Sequence, residues 1–553
     1  MSVMKIIIVA MISAIALYSG YDWGLPSIER AHVIFEDKIE HYDSVASLEA
    51  TYKAEKEKTG KKIYIDNYTD YVKSMDYDTA INMGIARYLT VPYAADDAFV
   101  LKAIKNLDPY KYDFDPNFYI YGGGLIYASA LALKISELTG YVTLKPDISF
   151  YLKNPEMMGR IYKVLRLLVL IFSVIGISFV YVYAVRNHGQ IVATLTTILM
   201  LINPESMASS HAIEPHMYTL VFFALSLFYA YKYYVSNALT YDFMPAAIFA
   251  GLSIGTQASS MYIVVPVVVT IFMAFRDKTK LHRLMRDIAL YFIIVVIIVI
   301  LINPYYVINI EGFIQDLYVG MENQVVNDSI SINNWAPYQV SIFLLLLYIV
   351  SFLYSILVLK KKYVLFYSGI IIPAVVMYII TGQIMQYIYP SIMVFSILSS
   401  LMLLDIYSRL SQKFRKYFFI VVLLLLILSP GLRSLYYVIN YSYDNRLYAG
   451  KWVNNNIEAN SSIGITFPPT NYDTIPFNYK KYKLIDIDSA MTNESRPKYV
   501  ITVNRKLTEN VQSHYKLVQE FKPNSILGYR PILKGEVSAI YAKTIKIYKR
   551  KGE

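Results

Sequence analysis

Long apolar runs separated by short polar breaks dominate the chain, and the runs are too long for an ordinary soluble core. The first, Ile6 to Tyr18, follows Lys5 directly, and further runs start near residues 164, 190, 217, 244, 260, 288, 338, 363, 387 and 417. Each approaches the roughly 20 residues that a helix needs to cross the hydrocarbon of a bilayer. The stretch 244–275 reads as two spans, with Gly255-Thr256-Gln257 and Ser259-Ser260 supplying the turn. The pattern predicts a polytopic α-helical membrane protein with about 11 transmembrane helices. A signal peptide is one reading of the first run, but no small-residue cleavage site before Tyr21-Asp22-Trp23-Gly24 is convincing, so the run is expected to stay as an uncleaved helix with a cytoplasmic N-terminus.

Two long segments depart from this rhythm, residues 21–160 and 434–553. In the second, a polar helix around Asn445–Asn456 is followed by β-rich runs at Ser462–Phe467, Tyr482–Ile487, Tyr499–Val503, Tyr515–Phe521 and Ala539–Tyr548. The expected organisation is a transmembrane domain over 1–433, whose outer loop 21–160 carries juxtamembrane helices, and a small extracytoplasmic α/β domain over 434–553.

Composition strengthens the membrane reading. Of 553 residues, 56% are hydrophobic and only 17% charged, against about 45–50% and 25% for a soluble domain. The absence of cysteine excludes disulfides, thiolate metal sites and Cys catalysis. Tyrosine is abundant, at 54 residues; its ring and hydroxyl suit the membrane–water boundary, although a codon bias toward Tyr, Ile, Lys and Asn explains the count as well.

The net charge of +11 is not a nucleic-acid footprint, because much of it sits in alternate short loops. The expected inner loops hold Arg186; Lys232; Arg276, Lys278, Lys280, Arg283 and Arg286; Lys360, Lys361 and Lys362; and Arg409, Lys413, Arg415 and Lys416. The expected outer loops 203–218, 305–335 and 381–389 contain no Lys or Arg. Positive charge is retained on the cytoplasmic side, so the alternation orients the chain, and both long segments then fall outside.

The first outer segment carries the candidate chemistry. Asp96-Asp97 follows Pro92-Tyr93-Ala94-Ala95, and Asp115-Pro116-Asn117-Phe118-Tyr119-Ile120-Tyr121-Gly122-Gly123-Gly124 lies beyond it. Adjacent carboxylates repel, so one pKa rises unless a cation is near, and a carboxylate at a membrane surface can accept a hydroxyl proton. The plain alternative is a helix start, with Asp96 as N-cap and Asp97 in the first turn; a cap would also fix the carboxylate. His211, Glu214 and His216 lie within six residues, either as ligands for a divalent cation or as a solvated loop. Arg166 stands near the outer start of the second span, suited to lipid phosphates or to a phosphorylated lipid substrate. Gly122–Gly124 lacks the strand and the Gly-Lys-Ser/Thr of a nucleotide loop.

These residues, in this order on the outward side of successive spans, resemble the GT-C glycosyltransferases, in the branch of the protein O-mannosyltransferases and the lipid A aminoarabinose transferase. The carriers are Trp23-Gly24-Leu25-Pro26, Asp96-Asp97, Pro116-Asn117-Phe118-Tyr119-Ile120-Tyr121-Gly122, Arg166-Leu167-Leu168, Ser210-His211-Ala212-Ile213-Glu214, Asn303-Pro304-Tyr305 and Gln386-Tyr387-Ile388-Tyr389-Pro390, along most of residues 1–440. The resemblance implies inverting transfer of a sugar from a polyprenyl phosphate to a hydroxyl on a protein, lipid or glycan acceptor, outside the plasma membrane and without nucleic acid. It implies Asp96 as base, supported by Asp97, and matches Glu214 to the family's second acidic position. It also implies donor contacts from Arg166, Lys163, Tyr387, Gln386 and Gln257, and admits a divalent metal ion on Asp97, His211 and Glu214. Many relatives have Lys at the position of Gln257 and Arg at that of Gln386, which leaves Arg166, Lys163, Arg160 or a metal to face the donor phosphate.

Two other classes share this composition. A secondary transporter or lipid flippase is expected to place ionisable residues within the spans or to use paired broken helices, and here the candidate charges lie at the outer boundary. A non-catalytic scaffold presenting the C-terminal domain is the other alternative; nothing in the sequence excludes it, and the presence of both Asp96 and Asp97 argues mildly against it.

Overall fold

Where no water reaches the backbone, its N–H and C=O groups must satisfy each other, and a helix does this within one segment. In the computed structural model all eleven apolar runs are helical over much of their length. The described residues are 3–59, 75–94, 97–236, 241–275, 281–325, 341–359, 361–380, 385–441, 443–467, 469–470, 474–487, 496–504, 507, 509–528 and 543–552. Among them, four helices are each long and apolar enough to span a bilayer: Pro155–His188, His282–Ile302, Ile388–Arg409 and Gln412–Tyr441. Others are shorter than the expected spans for visible reasons. Gln190–Leu201 ends at Asn203-Pro204, where the chain bends by 63° into Pro204–His211. Phe243–Thr256 and Val264–Phe275 are divided by a 3-10 turn at Ala258–Ile263, in the stretch assigned to the turn.

Pro155–His188 organises the bundle. Pro155 at its first position and Glu156 in its first turn suit a helix N-terminus, and Gly189, at a φ of 92°, ends it. Its 34 residues exceed the roughly 20 that a span requires. Arg160, Lys163 and Arg166 lie in its N-terminal half. The helix packs against Val3–Tyr18, Gln190–Leu201 and His216–Val235; the last also packs on Phe243–Thr256, which leans on Leu281–Ile302.

The glycine run at 122–124 serves close approach. Gly122 N–H donates to the carbonyl of Thr256 at 3.0 Å, and a Cβ at Gly122 would overlap the carbonyl of Gly255. At Gly123 it would meet the carbonyl of Ile302, and at Gly124 the hydroxyl of Thr256. Asn303 closes the junction, accepting from Gly123 N–H at 2.6 Å and donating to the Gly255 carbonyl at 2.9 Å. Because backbone rather than a movable side chain blocks the space, Gly122→Ala is expected to destabilise the protein by about 3 kcal/mol. An unchanged thermal midpoint in detergent would remove the close approach as its reason.

The C-terminal part forms one five-stranded sheet. β1 (Ser462–Ile465), β2 (Lys483–Asp486), β3 (Tyr499–Val503), β4 (Tyr515–Phe521) and β5 (Ile545–Arg550) lie in the order β2-β1-β3-β5-β4. β1 pairs in parallel with β2 and β3, while β5 is antiparallel to β3 and β4. The helix Asn445–Asn456 packs on β4 and β5. The expected boundary at 433/434 falls inside the helical run Gln412–Tyr441, so the chain passes from the bundle toward the sheet without an intervening linker there.

Candidate active site

Asp97 opens the helix Asp97–Asn106, as a first-turn acid should, and its side chain is wholly buried. One carboxylate oxygen accepts from Arg166 at Nε (3.1 Å) and at a terminal nitrogen (2.8 Å), and the other accepts from Ile213 N–H at 2.7 Å. Arg166, also buried, donates further to the carbonyls of Tyr21 at 3.1 Å and Trp23 at 2.6 Å. Burial pushes the Asp97 carboxyl above its usual range, against the pull of Arg166 and the Ile213 amide. This pair joins four parts of the chain: the exit from the first helix, the start of the helix at Asp97, the long helix Pro155–His188, and the loop before Glu214. Asp96 lies outside the described residues.

Arg166 therefore directs its guanidinium at Asp97 and two carbonyls. Lys163, one turn earlier, is partly exposed and stands 3.4 Å from Asp22. Gln386 and Tyr387 fall in the 3-10 turn Met385–Ser391, and their side chains lie outside what is described.

The next loop starts where Asn203 caps Pro204–His211 by accepting from Glu205 N–H at 3.0 Å. Glu214 pairs with His216 Nε2 at 2.8 Å, and His216 Nδ1 lies 3.2 Å from Gln257 Oε1. Gln257 is buried, and its amide nitrogen has no hydrogen-bond partner among the described residues. His211 places Nδ1 at 2.7 Å from the Met207 carbonyl and Nε2 at 2.7 Å from that of Ser19, and stacks on Tyr441 at 4.2 Å. Among the described residues no group of three or more His, Asp or Glu is arranged to hold a metal ion. Asp97, His211 and Glu214 do not fit one: the oxygens of Asp97 are engaged by Arg166 and Ile213, and both His211 nitrogens face carbonyls.

Glu205 was missed in the sequence. It is buried on the short helix beyond the 63° bend, with Ser209 Oγ at 3.4 Å. Burial pushes it up to about 7; the nearby Glu214 adds to the rise, while His216 and Arg433 oppose it. The only sequence signal was Asn-Pro-Glu, which reads equally as a helix start.

The segment 115–119 is a structural clamp. Asp115 accepts from the Asn117 amide at 2.8 Å, from Tyr119 Oη at 2.7 Å and from Asn309 Nδ2 at 3.0 Å, and Asp316 accepts from Tyr119 N–H at 2.8 Å. Tyr305 Oη accepts from Phe114 N–H at 2.9 Å. Beside this clamp an apolar groove of about 500 Å³ is lined by Leu107, Pro109, Phe114, Tyr127, Leu301 and Tyr305, among others. The helix that begins at Asp97 leads into the groove at Leu107, so about 15 Å of helix separates the two.

Residues 156–307 match the family of dolichyl-phosphate-mannose-protein mannosyltransferases. This stretch contains Arg166, Ser210–Glu214, Gln257 and Asn303–Tyr305, in keeping with the resemblance read from the sequence. No curated protein matches the chain. The structure is similar to the apo oligosaccharyltransferase of Archaeoglobus fulgidus, at 13% identity and a TM-score of 0.45, covering 77% of this chain and 69% of that one. The same enzyme, AglB, with an inhibitory peptide and a dolichol-phosphate matches at 13% identity and 0.45, covering 76% and 69%. ArnT from Cupriavidus metallidurans bound to undecaprenyl phosphate matches at 12% identity and 0.32, covering 81% and 97%.

Proposed function

We propose that this chain is a membrane-embedded glycosyltransferase of the GT-C kind that moves a sugar from a polyprenyl phosphate to an acceptor hydroxyl, with Asp96 as general base; the match of residues 156–307 to the dolichyl-phosphate-mannose-protein mannosyltransferases supports this. The acceptor oxygen loses its proton to Asp96 and bonds to the anomeric carbon from the face opposite the leaving group. The bond from that carbon to the phosphate oxygen breaks, polyprenyl phosphate departs, and the configuration inverts. A phosphate is already a competent leaving group, so positioning and charge stabilisation carry the catalysis.

The observation that carries this reading is the anchoring of Asp97. Arg166 and Ile213 hold the turn from two sides and so fix the start of the helix directly after Asp96. The family match supplies the donor class. In this reading about eleven crossings form a domain over 1–433, and residues 434–553 stand outside the plasma membrane. The partners are a lipid-linked sugar, an acceptor of protein, lipid or glycan, and membrane lipids.

The test uses the protein in vesicles with polyprenyl phosphate bearing a radiolabelled hexose and the host envelope as acceptor. Label should move to the acceptor as free polyprenyl phosphate accumulates; no transfer with any hexose tried would defeat the proposal. The cysteine-free chain also permits a test of orientation. Asn456→Cys should react with an impermeant thiol reagent outside the cell and Lys413→Cys should not, and the reverse pattern would place the site in the cytoplasm.

A further inference from the structure

Tyr93, four residues before Asp97, is fully buried with two guanidinium groups against its ring. The Arg30 guanidinium carbon lies 3.8 Å from the ring centre and that of Arg446 lies 4.1 Å from it. Two such groups cannot share one face at that height, so the ring is sandwiched. Both arginines are only 1% exposed, where cation–π attraction is strongest.

Each layer is fastened separately. Arg30, in the helix Ile28–Phe35, donates to the carbonyls of Tyr88 at 3.3 Å and Val91 at 3.2 Å, and also to that of Gly24. Tyr93 N–H donates to the same Gly24 carbonyl at 2.9 Å. The neighbouring Trp23 carbonyl receives Arg166, the partner of Asp97. Arg446 belongs to the C-terminal helix Asn445–Asn456, whose first turn is capped by Asp444 at 3.1 Å from Arg446 N. Asn445 ties that helix to the carbonyl of Lys543, just before β5, and Asn454 ties it to the Val33 carbonyl at 2.6 Å.

We infer that Arg446 is a positioning residue: through the ring of Tyr93 the C-terminal unit fixes the turn that leads into Asp97. The inference rests on the proposed role of that turn in sugar transfer. Nothing requires the C-terminal unit to touch donor or acceptor; it acts by removing freedom from the turn, and misplacement by about 1 Å can cost a hundredfold in rate.

The test is hydrogen exchange on the full-length protein in detergent, alongside transfer kinetics. Arg446→Met removes the charge and the stacking plane, and Arg446→Lys keeps only the charge. In both, amides of residues 93–101 should exchange faster while those of β1 to β5 keep their protection. kcat should fall about a hundredfold in Arg446→Met and less in Arg446→Lys, with KM for the lipid-linked sugar within about twofold. Tyr93→Phe keeps the ring and should match wild type; Tyr93→Leu should behave as Arg446→Met. If Arg446→Met does not fold, Arg446→Lys and Tyr93→Leu decide the matter. Unchanged exchange over 93–101, or loss of protection throughout the sheet with the turn still protected, would overturn the inference. Faster exchange at the turn in a protein whose wild type transfers no sugar would support the mechanical link and defeat the catalytic reading instead.

Discussion

Asp96→Asn is expected to slow sugar transfer by about 10²- to 10⁴-fold, the usual contribution of a positioned general base, without lowering the thermal midpoint. The amide keeps the shape of the carboxylate and, at a helix start, still offers a capping oxygen. What it lacks is a site for the proton leaving the acceptor hydroxyl. Binding of the lipid-linked sugar should therefore persist, and the loss should appear in kcat. Transfer at the wild-type rate in a folded Asp96→Asn protein would take this residue out of the mechanism.

The neighbouring substitution should fail in another way. Asp97→Asn leaves the guanidinium of Arg166 buried without its counter-charge, and breaking a buried pair by removing one partner costs about 3–5 kcal/mol. Typical folded proteins hold only about 5–15 kcal/mol in reserve, so a steep fall in thermal midpoint and in the yield of monodisperse protein is expected. Asp97→Leu with Arg166→Met removes both charges together and should recover much of the loss, although Ile213 N–H and the carbonyls of Tyr21 and Trp23 would then lack partners. A stable but inactive Asp97→Asn protein would instead assign Asp97 to the chemistry.

This contrast marks what the sequence could disclose. Periodicity located the helices, the polar helix Asn445–Asn456 and the strands Tyr499–Val503 and Tyr515–Phe521, because local pattern and local structure share one cause. It also put Asp97 in a first helical turn. It did not reveal that Arg166 meets Asp97, since 69 residues separate them and a lone arginine near a span end looks the same whether it faces lipid, ligand or protein. The sandwich at Tyr93 was hidden for the same reason, as its layers come from residues 30, 93 and 446. Gly122–Gly124 was recognised only as something other than a nucleotide loop; the backbones of Gly255 and Ile302 that demand it arrive from distant helices.

The Asn303 bridge also sets a timetable for biogenesis. Gly123 and Asn303 are 180 residues apart, and at about 5–20 residues per second the ribosome needs on the order of ten to forty seconds to supply the second after the first. Through that interval the loop bearing Gly122–Gly124 is made but not latched, and its glycines face surroundings that no later helix has yet filled. A chain halted before Asn303 would carry the aspartate turn without the latch that closes the loop behind it.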